Sequence, residues 1–148
     1  MECYFKPQQR NALFREFHNV ASCQTGKNIP VNESPDGSLR YSTEKSEIFL
    51  STRDPVYKPM SEFERPMFLR GVFAHELLHL LITNFPVYIK AIQRQGSRFQ
   101  QEIYSNFLNI AEDGAIENFA PDYLSREYTR TLEFVRAQLY KSSPIIKE

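Results

Sequence analysis

One segment restricts the architecture of this chain more than any other: PMFLRGVFAHELLHLLIT, from Pro66 to Thr83. At about 100° per residue, Met67, Phe68, Leu69, Val72, Phe73, Leu77, Leu78, Leu80, Leu81 and Ile82 fall on almost every face of a helix. A helix of that kind is buried on most sides, so the remainder of the chain must wrap around it. Two start signals compete: Ser61-Glu62-Phe63-Glu64 matches a capping box, and Pro66 suits a first turn that begins near Arg65.

The wrapping elements follow from periodicity and punctuation. From Pro7 to about Gln24, Leu13, Phe14, Phe17, Val20 and Ala21 recur at three and four residues, and Gly26 closes the pattern as an amphipathic helix. Between Ile29 and Thr52 stand Pro30, the turn signal Ser34-Pro35-Asp36-Gly37, Tyr41 and Ile48-Phe49-Leu50, which predict two or three short strands in a small antiparallel or mixed sheet. Asp54-Pro55 and Lys58-Pro59 predict an irregular connector, because proline disfavours helix at the residue before it. Beyond the central helix, Pro86 opens another and Gly96-Ser97 interrupts it. A longer helix is expected from about Arg98 to Phe119, stopped by Pro121, and a last amphipathic one from roughly Asp122 to Tyr140. The expected class is α+β, mainly helical, with a small sheet. At 148 residues and 41% hydrophobic content the chain suits a single domain, 1–148. A chain of that size buries roughly 70% of its unfolded surface without help from a disulfide or metal.

Charge excludes whole classes of function. Eighteen basic and eighteen acidic side chains cancel without forming a long run of either sign. No footprint for nucleic acid or an anionic membrane is therefore expected. The start, MECYFKPQQR, has no apolar signal-peptide core, and no stretch approaches the roughly eighteen apolar residues of a membrane span, so the expectation is a soluble, cytoplasmic protein. Cys3 and Cys23 have no CxxC spacing and are expected to be reduced thiols. His18, among Phe14, Phe17 and Val20, is expected to be structural.

Into the apolar wall of the central helix are set His75, Glu76 and His79, the sequence HELLH. Residues four apart project from one helix face with Cβ atoms about 6 Å apart, so two imidazoles can converge on one ion at about 2.0 Å each. Glu76, one step on, stands beside the pair without binding. It is placed to take a proton from a zinc-bound water whose pKa has fallen to about 7, and the activated water then attacks a polarised carbonyl. Two histidines and a glutamate buried in apolar surroundings would otherwise carry a heavy desolvation cost.

A tetrahedral zinc site of this kind needs a third protein ligand. The candidates lie in Asn109-Ile110-Ala111-Glu112-Asp113-Gly114-Ala115-Ile116-Glu117, a carboxylate cluster where Gly114 is expected to permit close helix approach. Glu112 and Asp113 point about 100° apart, so only one can face the ion as its ligand. Asp113 has Asn109 and Glu117 one turn before and after it, a polar stripe able to hold ligand and supporting residues together. Glu112 stacks with Leu108 and Ile116 but has the longer reach, and stays the alternative. Tyr123, Arg126 and Tyr128 are candidate donors to a developing oxyanion.

HELLHLL, followed some thirty residues later by NxxEDxxIE, resembles the metallopeptidase domains that precede von Willebrand A domains in bacterial and phage-related proteins. The resemblance covers roughly Arg70 to Asn118. It implies a zincin-like α+β fold with the small sheet packed on the HExxH helix, a zinc cofactor, a protein or peptide substrate, and an acidic third ligand on the following helix. It also implies that a residue four positions on supports a histidine, which fits Asp113 with Glu117. The von Willebrand A metal motif DxSxS is missing, since Asp36-Gly37-Ser38-Leu39-Arg40 fails at its last position. The chain is then a free-standing relative, or a fragment of a longer protein that has a von Willebrand A-type or other partner. Two rival expectations are a regulatory protease that cleaves a repressor-like partner, and a metal-stabilised interaction module without activity.

Overall fold

The computed structural model describes residues 3–37, 40–42 and 46–142. The central helix, α2, runs from Glu64 to Ile82. Both start signals operate: Ser61 Oγ accepts from the Glu64 N–H at 3.2 Å, the Glu64 carboxylate accepts from the Ser61 N–H at 2.9 Å, and Pro66 occupies the first turn. Phe68, Leu69, Val72, Phe73, Ala74, Leu77 and Leu78 are buried, while Met67 is exposed.

Helix α1, Pro7–Thr25, lies on one side of α2, where Phe17 stacks on Phe73 with ring centroids 4.3 Å apart. It ends at Gly26, whose φ of 69° is the left-handed conformation that glycine adopts without a steric cost. Strands β1 (Val31–Glu33), β2 (Arg40–Ser42) and β3 (Glu47–Leu50) form a mixed sheet in the order β1-β3-β2. β3 runs parallel to β1 and antiparallel to β2, so that Val31 and Tyr41 both stand opposite Ile48. The turn signal after β1 therefore does not close a hairpin between β1 and β2, because β3 inserts between them. Alternation puts Ile48 and Leu50 in the core, and the sheet meets α2 through β3 and β2. The Asp54-Pro55 connector is a 3-10 turn, Pro55–Tyr57, that sinks Tyr57 edge-on against Phe5 and Phe68.

Helices α3 (Phe85–Gln93) and α4 (Arg98–Asn118) follow, divided at Gly96-Ser97 as expected. A Ser97–Gln100 capping box starts α4. Among the described residues of α4 only Ile116 is fully buried, although the helix also carries Phe99, Ile103, Phe107 and Ile110. Apolar content alone does not distinguish a core face from an exposed one.

The last helix starts later than the sequence suggested. Pro121 permits one short turn, α5 (Ala120–Tyr123), and the chain then extends through Leu124 before α6 (Arg126–Ser142). Ser125 restarts it, its carbonyl accepting from the Thr129 N–H at 3.0 Å and its Oγ from the Tyr128 N–H at 3.3 Å. Helix α6 lies against α2 at Gly71, where an added Cβ would stand 2.3 Å from Val135 Cγ2 and 2.4 Å from the Thr131 carbonyl oxygen. The close approach expected at Gly114 is thus found at Gly71, and a Cβ at Gly114 would have no neighbour within 4 Å. Among the described residues no single helix is long and apolar enough to cross a membrane.

Candidate metal centre

On successive turns of α2, His75 and His79 bring their Nε2 atoms to 3.2 Å from each other. From α4, Asp113 places Oδ1 2.9 Å from His79 Nε2 and 3.3 Å from His75 Nε2. The outer nitrogen of each ring is held by a different partner. His75 Nδ1 is 3.0 Å from Glu117 Oε1, and Glu117 Oε2 accepts from Arg136 Nε of α6 at 2.6 Å. His79 Nδ1 is 2.9 Å from Thr83 Oγ1, which donates to Glu112 Oε1 at 2.5 Å.

These partners determine where the ring protons sit. Burial raises the Glu117 pKa, but its hydrogen bonds from His75 and Arg136 prevail and hold the carboxyl below its ordinary value. An ionised Glu117 can only accept, so His75 carries its hydrogen on Nδ1. Thr83 gives its one hydroxyl hydrogen to Glu112 and so accepts from His79 Nδ1–H. In the neutral rings both Nε2 lone pairs consequently point inward, at each other and at the Asp113 oxygen. Three electron-pair donors converge on one point, an arrangement that repels unless a cation or proton sits among them. Tetrahedral zinc with bonds of about 2.0–2.1 Å sets its ligand atoms about 3.3 Å apart, close to the separations here. The set His75, His79 and Asp113 can hold a metal ion.

The two rings are shifted in opposite directions. Burial lowers the His75 pKa, but the hydrogen bond to Glu117 and the charges of Glu76, Asp113 and Glu117 outweigh it and the net shift is upward. His79 moves down, because burial and the adjacent His75 charge outweigh Asp113 and Glu112.

Beside the three donors opens a cleft of about 350 Å³ between α2, α4 and α6. Its lining includes His75, Asp113 and the buried Glu76, with Val72, Val135 and Leu139 as an apolar wall. The Asp113 side chain is 48% exposed, so an ion held by it would be reachable from solvent.

The structure brings together His75, His79, Glu76, Asp113 and Glu117. Glu112 stands one hydrogen bond away, acting on His79 through Thr83. Asn109 does not join them; its Oδ1 accepts from the Tyr88 hydroxyl. Tyr123, Arg126 and Tyr128 are not among the residues lining the cleft, and Tyr128 instead donates to Glu16 at 3.0 Å. His18 Nδ1 pairs with the Ile29 carbonyl oxygen at 2.7 Å, outside the site. Thr83 and Arg136 were not singled out in the sequence. Thr83 lies four residues after His79, a spacing that could have revealed it, whereas nothing in the sequence links Arg136 of α6 to Glu117. Compared with protein-family models, with curated proteins and with solved structures, the chain shows no match.

Proposed function

We propose that the chain is a zinc-dependent peptidase of the HExxH type, with a zincin-like arrangement of helix, sheet and third ligand. The observation that carries this reading is the convergence of three inward lone pairs from His75, His79 and Asp113 beside a cleft that also contains Glu76. Two imidazoles and one carboxylate match a catalytic zinc with its fourth position left to water. A zinc ion bound there would supply a Lewis acid that lowers the pKa of water and polarises a carbonyl. Glu76 accepts the proton of the attacking water and returns it to the leaving amine. Glu117 and Thr83 orient the histidines and increase their basicity. The apolar wall of Val72, Val135 and Leu139 would receive a substrate side chain next to the scissile bond. A purely structural zinc is the rival reading, and the half-exposed Asp113 favours the open, catalytic kind.

Glu76→Gln tests this mechanism, because the amide cannot take the proton while the ligands are untouched. The expected result is one zinc per chain by elemental analysis and no cleavage of peptides that the parent protein cuts. Cleavage at the parental rate overturns the role of Glu76. Unchanged zinc content in His75→Ala overturns the site.

A further inference from the structure

Helix α4 carries a second feature that the metal centre does not use. Phe99, Ile103, Phe107 and Ile110 are 70%, 54%, 66% and 75% exposed. At about 100° per residue they fall within an arc of roughly 80°, a single strip that stops one turn before Asp113. Gly114 extends the same arc with open space above it.

We propose that the chain pairs with a second copy of itself through this strip, the two α4 helices lying antiparallel about a two-fold axis near residue 105. Two observations support that occupant. At 150–200 Å² per side chain the strip leaves on the order of 500 Å² of apolar surface in water. This is about the apolar share of the roughly 800 Å² that each partner of a standard interface buries. The strip is also self-complementary. Read from its N-terminal end it alternates Phe, Ile, Phe, Ile, so reversal sets Phe99 against the partner copy's Ile110 and Ile103 against its Phe107, large against small. With one arginine against Glu102, Glu112, Asp113 and Glu117, this helix lacks the cationic rim of a membrane-surface helix.

Sedimentation equilibrium of the full chain is the test, run to about 100 µM because dimer population follows mass action. The expected particle has twice the 17.4 kDa mass of the chain. Ile103→Glu and Phe107→Glu each bury two charges beside the axis, and each is expected to weaken pairing at least about 100-fold. Their circular dichroism should match the parent, and either variant that folds serves the test. A parent chain that stays monomeric overturns the proposal, even if it pellets with phosphatidylcholine vesicles, as does a dimer that persists in the folded variants. Pairing is independent of the zinc reading: Glu76→Gln should dimerise like the parent.

Discussion

Thr83 has a single hydroxyl hydrogen, and giving it to Glu112 is what compels His79 to turn its lone pair inward. Thr83→Val keeps the shape of the residue and removes that instruction. It is expected to weaken zinc binding about 10- to 100-fold with the fold intact, measured by competition with a chromophoric chelator. Equal affinity would show that Thr83 and Glu112 do not orient the ring. The candidate ligands were legible in the sequence because helix geometry makes a four-residue spacing a spatial statement, both for His75 with His79 and for the stripe Asn109, Asp113, Glu117. That rule carries no information across helices. It could not show that Arg136 would cap Glu117, or that Asn109 would be taken by Tyr88 rather than by a histidine.

At the scale of elements, two glycines have opposite roles. Gly71 lies in the seam between α2 and α6, where a methyl group would meet the Thr131 carbonyl at 2.4 Å, and backbone cannot move aside cheaply. Gly71→Ala is expected to cost at least about 2 kcal/mol of stability in urea unfolding. Gly114 stands inside α4 with no atom within 4 Å of its missing Cβ. Gly114→Ala should stabilise by about 0.5–1 kcal/mol, since only the helix propensity changes. The opposite ranking would mean that α6 does not lie on α2 as described. The sequence located nearly every helix, because caps and apolar periodicity are local. It assigned the close approach to the wrong glycine, because which helices meet is a property of the fold. Strand order was hidden for the same reason: β1 and β3 pair across an intervening turn and strand, and a turn signal specifies only its own bend.

Over the whole molecule, α2 is clasped unevenly. Helix α1 holds it through stacked aromatic rings, the sheet through Ile48 and Leu50, and α6 through the Gly71 seam. Helix α4 reaches the core mainly through Ile116 and the polar cluster around His75 and His79. If the centre holds zinc as proposed, chelation is expected to lower Tm and to raise amide exchange in α3 and α4 well before α1 and α6. Uniform loosening of all the described helices would contradict that hierarchy.

Because two donors belong to α2 and the third to α4, an ion held between them loses its third ligand whenever α4 lifts away from α2. Its residence time then reports how long α4 stays seated. Ile116→Ala touches no ligand, yet it should shorten that residence time in a stopped-flow chase by a chelator, while the capture rate changes little.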